Sequence, residues 1–189
     1  MTVNGMRALI LALFSVILAL FILAPFMGGH GAVYGLEGGH PVEPDFFDVW
    51  DDLSPVQGGI YAVGDILCHQ DSSRSFHLNG SQLPVCVRDA SALAGLVAGL
   101  LLCLRFGAQL DRYAYIMIAV SFALMIADAA IQNVCDLNVF ATRILTGAFC
   151  GISVAAVIDR WLRLMRPGSE CIIASVYHRC RRSNLFNDV

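Results

Sequence analysis

Two stretches of this chain concentrate residues able to do chemistry. The first holds Cys68, His69, Arg74, His77, Cys86, Arg88 and Asp89. The second holds Asp128, Gln132 and Arg143. Thiolate and imidazole are borderline-soft donors that suit zinc. Cys68, Cys86 and one of His69 or His77 would supply three ligands, with Asp89 as a fourth. Side chains of the adjacent Cys68 and His69 diverge on a helix, so both could bind one ion only at a helix end. The same two cysteines, 18 positions apart, could instead close a disulfide in an oxidising compartment, or stay free. The spacing leaves all three states open. None of the seven cysteines forms a CxxC pair, which argues against a zinc ribbon or a thioredoxin-type motif. Nothing beside Cys68 or Cys86 marks an activated nucleophile. A redox exchange would need a resolving thiol, for which Cys135 is the candidate.

The elements that must position these residues are hydrophobic. Charged residues are only 14% of the chain and apolar ones 57%, against about 25% charged in a typical soluble domain. A hydrocarbon core needs roughly 20 apolar residues in a helix. Residues 8–27 supply such a run without a charge. It is longer than a signal-peptide core and ends in Pro25-Phe26-Met27 rather than at a small-x-small site, so it reads as a retained span. Residues 90–104, 113–132 and 142–158 give three more spans. Cys103 and Cys150 lie inside these runs and read as packing residues. Gly95 and Gly99 form a GxxxG that lets helices approach closely. The fold class is therefore all-α, an integral membrane domain over 1–166 with four spans, followed by an arginine-rich tail at 167–189.

The outer loop, 28–89, has structure of its own. Residues 28–55 are broken by Gly and Pro, with His30 and His40 solvated. Phe46, Phe47 and Trp50 read as rings resting at the lipid–water interface. Residues 57–69 are apolar but too short to span, and suit a short interfacial helix. Asn79-Gly80 is a tight-turn signal, consistent with a hairpin between residues 75–77 and 82–83.

All 12 basic residues are arginine. Arg7, Arg105, Arg112 and the tail fall on one side of a four-span topology, which the positive-inside rule makes cytoplasmic. Both termini then lie inside at the cell membrane, and the loops at 28–89 and 133–141 face outward. Arginines beside a span mark a cytoplasmic flank rather than a nucleic-acid surface. The tail, with Cys171, His178 and Cys180, suits anionic lipid, at about 1 kcal/mol per arginine near the surface.

This orientation gathers the polar residues on the outer face. Asp128 and Gln132 stand at i and i+4 and share a helix face. A carboxylate at membrane depth needs a partner, and Arg143 or Arg88 is the natural cation, with Arg143 the first expectation. The string CHQDSSRSFHLNGSQLPVCVRDASALAG, followed by DAAIQNVCDLNVFATRILTGAFCG, resembles an uncharacterised prokaryotic membrane family, domain of unknown function 2085. The resemblance covers residues 57–160 and implies a small multi-helix membrane protein with no known activity. Asp89 stands where relatives carry a third cysteine, and Ala90-Ser91 where Thr-Gly is usual. A ligand set that needs three thiolates is not available here.

Three functions follow from these residues. One is binding or moving a small anionic or lipid-like ligand at Arg74, Arg88, Asp128, Gln132 and Arg143. Another is a membrane enzyme dependent on zinc or a thiol at Cys68, His69, His77, Cys86 and Asp89. The third is an accessory subunit that contacts a membrane-protein partner within the bilayer.

Overall fold

The computed structural model describes residues 2–36, 46–68, 70–106, 113–135 and 138–165. Helix α1 (Val3–Leu23) starts at Thr2, whose Oγ1 accepts from the Gly5 amide at 3.1 Å. It runs into a 3₁₀ turn, Ala24–Phe26. Two short helices follow, α2 (Phe47–Asp51) and α3 (Pro55–Leu67). A second 3₁₀ turn, Ser72–Arg74, leads to strands β1 (Ser75–Leu78) and β2 (Ser81–Cys86). Helices α4 (Val87–Phe106), α5 (Ala114–Val134) and α6 (Phe140–Leu164) complete the chain. The tail from 166 onward, with Cys171, His178 and Cys180, lies outside the described residues, as do His40 and Arg112.

Four stretches are long and apolar enough to cross a membrane: Val3–Phe26, Val87–Arg105, Ala114–Val134 and Phe140–Leu164. They match the four runs read from the sequence and extend past them. On α6, counting stopped at the first charge, Asp159, yet the helix continues to Leu164. Asp159 is helical and buried because Arg7 of α1 donates Nε to its Oδ1 at 2.5 Å. Arg163 donates to the other carboxylate oxygen at 3.0 Å. Arg7 is thus a buried tie between the first and last helices, not a free flanking charge. At the same end, the Arg160 guanidinium lies 5.1 Å from the Tyr115 ring centre, a cation–π contact that joins α6 to α5.

Helices α4 and α6 meet along small residues contributed by both. A methyl group at Gly95 would strike the Ala148 backbone, and one at Gly99 the Ala155 side chain. The reciprocal holds on α6, where Gly147 faces the Arg88 carbonyl and Gly151 the Ala92 carbonyl. The seam is therefore two GxxxG motifs packed against each other, the sequence-read pair on α4 and a second on α6. In lipid, where apolar burial does not drive association, such close backbone approach gives helices their packing energy. Leu96, Leu100 and Ala155 fill the seam, with Ile10 and Phe14 of α1 packed on it. The outward sides of α1 (Leu9, Leu13, Val16) and α5 (Ile116, Val120, Leu124) are exposed apolar surface, the composition of a lipid-facing stripe.

The described residues between α1 and α4 fold into a cap at one end of the bundle. Ser54 caps α3 and Pro55 occupies its first turn, the usual helix-start chemistry. Ala24, Val33, Leu36, Trp50 and Tyr61 form the cap core. Trp50 corrects the interfacial expectation: it is 4% exposed, stacks on Tyr61 at 5.2 Å, and donates Nε1 to Asp65 at 3.1 Å. Inside the folded cap its ring is packed and its N–H has a carboxylate partner, so it needs neither lipid nor water. The segment read as loop up to residue 55 also contains α2.

The hairpin is present and longer than expected, with Ser75 opposite Cys86 and His77 opposite Gln82. Its turn residues Asn79 and Gly80 both have positive φ, 50° and 73°, as a two-residue type I′ turn requires. The fold is thus helical with one small two-stranded element, so the all-α expectation holds only for the membrane-spanning part.

Replacing Gly151 with Ala should cost about 1–3 kcal/mol, because the added methyl forces two backbones apart. Gly59→Ala, where nothing lies within 4 Å of the new Cβ, should be neutral or stabilising by up to about 1 kcal/mol. Thermal unfolding in detergent compares the two. Equal effects would mean that the α4–α6 seam is not tightly packed.

Candidate functional site

The beginnings of α4 and α6 and the end of α5 meet at one end of the bundle. Five side chains from them form a continuous network of hydrogen bonds. Arg88 donates to Asp128 Oδ2 at 2.7 Å. Gln132 donates Nε2 to Asp128 Oδ1 at 2.8 Å and to Thr142 Oγ1 at 2.9 Å. Arg143 donates Nε to Gln132 Oε1 at 2.6 Å. The i, i+4 pair therefore shares a face as read.

The cation, however, is Arg88 and not the expected Arg143. Gln132 stands between Arg143 and the carboxylate and takes the Arg143 bond on its own oxygen. Arg143 is 5% exposed, and among the described residues Gln132 is the only hydrogen-bond partner of its side chain. The buried Arg88 Nε has no partner. Arg143 also lies within electrostatic reach of Arg74, Arg88, Cys86 and Asp128. Arg74 itself is exposed and pairs with Asp71 at 3.2 Å.

Beside this chain lies a second cluster. Cys68 caps α3 in an extended conformation, Cys86 ends β2, and Asp89 sits in the first turn of α4. Their donor atoms all lie within 4.8 Å of one another. The Cys86 amide donates to Cys68 Sγ at 3.3 Å, and Cys86 Sγ is 3.1 Å from Asp89 Oδ2. Both sulfurs are free thiols in this structure.

The backbone holds this arrangement from several sides. Gly64 of α3 packs on the Pro84 carbonyl, and Tyr61 donates its hydroxyl to the Gln82 carbonyl at 2.6 Å. Gln70, at a positive φ of 46°, donates to the Tyr61 carbonyl at 2.9 Å and accepts from Gln82 on its own carbonyl at 3.1 Å. These buried amides lock the chain between the two cysteines. Gln70 belongs to the CHQ stretch whose polar residues the sequence places with the site, and its buried amide ties the turn beside Cys68.

The two thiols have opposite tendencies. The hydrogen bond to Cys86 and burial push the Cys68 thiol well above its usual range. That same hydrogen bond lowers the Cys86 thiol.

His77 does not join the sulfurs. It lies on β1, 3.1 Å from Ser72 Oγ and 5.8 Å from the Tyr34 ring, paired with Gln82 further along the hairpin rather than with Cys86. His69 lies outside the described residues. On the His77 side a cleft of about 510 Å³ opens between Tyr34, Ser72, Ser75 and Phe140 at the start of α6.

The fold and these clusters define a helical membrane protein with four candidate spans and a folded cap at one end. Residues 68–157 match a family described as "Predicted membrane protein (DUF2085)", as the resemblance read from the sequence implied. The match starts at Cys68 and ends within α6, so it includes every residue of both clusters. No curated protein and no solved structure matches the chain.

Two outcomes test this geometry. Asp128→Ala should cost about 3 kcal/mol, because it strands a mostly buried guanidinium. Adding Arg88→Met should restore part of that loss and adding Arg143→Met should not, as measured by a double-mutant cycle on thermal stability. Rescue by Arg143→Met alone would assign the pair the other way. For the thiols, a lowered Cys86 means thiolate already present at lower pH. In reduced, metal-free protein Cys86 should alkylate at lower pH than Cys68, read by peptide mass mapping. Alkylation of Cys68 first would reverse the assignment.

Proposed function

We propose that the arginine end of the bundle is an outward-facing site for a small anion bearing a phosphate or carboxylate group, free or as a lipid headgroup. The observation that carries this reading is the charge count at membrane depth. Two largely buried guanidiniums, Arg88 and Arg143, stand near one carboxylate, Asp128, which pairs with Arg88 while Arg143 bonds to Gln132. A charged group removed from water costs several kcal/mol unless it is paired, and Arg143 has only the neutral Gln132. An anion between Arg143 and Arg88 would supply the missing charge. The free Nε of Arg88 offers a further donor, and guanidinium donors match planar anions in a fork. Arg74, on the turn above, adds electrostatic attraction from the cap. Gln132 keeps Arg143 aimed while leaving its charge uncompensated, a role that a carboxylate at the same place would abolish.

Unfolding in nanodiscs tests the proposal. In phosphatidylcholine discs, inorganic phosphate should raise the midpoint of the natural protein, since a ligand at 100 times its Kd adds about 2.7 kcal/mol. If phosphate is inert but phosphatidylglycerol discs stabilise, the anion is a lipid headgroup. Arg143→Gln, which retains a donor toward Gln132 and removes the charge, should lose the effect in either case. No stabilisation by either anion, or equal stabilisation of Arg143→Gln, overturns the reading.

A further inference from the structure

We infer that Cys68, Cys86 and Asp89 form a binding site for one soft divalent cation of the zinc type, independent of the anion site. Three observations converge on this. The donor atoms already stand within 4.8 Å of one another. Tetrahedral zinc with bonds of about 2.3 Å places two sulfurs about 3.8 Å apart. Closing the triad onto an ion therefore asks for about an ångström of side-chain movement and no change of backbone.

The three donors come from three elements that are independently anchored. Cys68 packs with Phe21 and Val85 in an apolar cluster. Cys86 is held by the hairpin register opposite Ser75. Asp89 is carried by α4, the helix locked to α6 by the glycine seam. Preorganisation of this kind is what a site needs to bind without first paying for loop closure.

The donor chemistry is also selective. Two thiolates with one carboxylate favour zinc and other thiophilic ions over magnesium or calcium, which take oxygen donors. Cys68 is buried, Cys86 half-buried and Asp89 exposed. The triad is therefore closed beneath by the apolar cluster and open on the Asp89 side. Three protein ligands with one accessible position is the pattern of zinc sites that also bind water or substrate, whereas structural sites close all four positions. Two thiolates and a carboxylate exceed the charge of a divalent ion by one. Asp89 is exposed, so solvent screens that excess. The intact hydrogen-bonding of Arg88 and Arg143 to Asp128 and Gln132 is not needed for the metal, so the two sites can fail separately.

Zinc binding by the full-length protein, purified reduced and metal-free, tests the site. We expect one zinc per chain that survives desalting and is missing from Cys68→Ser/Cys86→Ser, as counted by elemental analysis. Zinc should protect Cys68 and Cys86 from maleimide, and a chelator should restore their labelling while reductant has no effect. Asp89→Asn, on the exposed side, should weaken binding by at least about tenfold while the thermal midpoint of the metal-free protein changes little. Asp89→Cys should tighten it. If the double serine variant binds as much zinc as the natural protein, the metal sits elsewhere and the inference fails. It fails equally if Asp89→Asn binds unchanged, or if both thiols are protected until reductant is added and chelator does nothing, which is the behaviour of a disulfide.

Discussion

The close approach of α4 to α6 is the constraint on which the other features rest. Four glycines, two from each helix, let the backbones touch where any side chain would hold them apart. One of these contacts is between Gly147 and the carbonyl of Arg88. The seam therefore sets the depth and rotation of the first turn of α4 against α6, and with them the positions of Arg88, Asp89 and Arg143. Helix α5 adds Asp128 and Gln132 from a third side. At the opposite end, the buried Arg7–Asp159 pair fastens α1 to α6. The bundle is thus zipped by small residues along its length and closed by charge at both ends.

The cap converts that rigid end into a place where chemistry can occur. Its hairpin returns the chain so that Cys86 stands next to Cys68, and β2 passes directly into α4. A strand leading straight into a membrane-length helix leaves no slack between the thiols and Asp89. The buried amides of Gln70 and Gln82 and the Tyr61 hydroxyl fix the intervening turn. Burial drives up the Tyr61 hydroxyl, so that group stays a neutral donor throughout the physiological range. Two clusters of different character result on one face, one cationic and one built of thiols and a carboxylate.

Much of this was legible in the sequence. Span number follows from apolar run length, and Asn79-Gly80 announces its own turn because few other pairs accept two positive φ values. Asp128 and Gln132 share a face by helix period alone. What the sequence left open was rotational phase and depth between helices. Arg88 and Arg143 both lie near the end of the bundle that carries Asp128, and only the packing of α4 against α6 decides which one reaches it. The same blindness hid the Arg7–Asp159 pair, whose members are 152 positions apart. The Gly147/Gly151 motif was visible and unused, since one GxxxG is common in membrane helices and only its partner gives it meaning. Trp50 went astray for a related reason: amphipathic rings suit an interface or a folded cap, and composition does not distinguish them. His77 stands apart from the sulfurs because the hairpin register sets it opposite Gln82 rather than Cys86, which residue spacing does not show.

Everything functional in this account depends on the cap end facing outward. The two ends carry native reporters. Cys135 is exposed just after α5, at the cap end, while Cys171 and Cys180 lie in the C-terminal tail beyond α6. A membrane-impermeant maleimide applied to intact cells, followed by mass mapping, distinguishes the orientations directly. The account requires label on Cys135 in intact cells and on Cys171 and Cys180 only after the membrane is opened. Label on the tail cysteines of intact cells, with Cys135 protected until lysis, would turn the protein over and place both clusters on the cytoplasmic side.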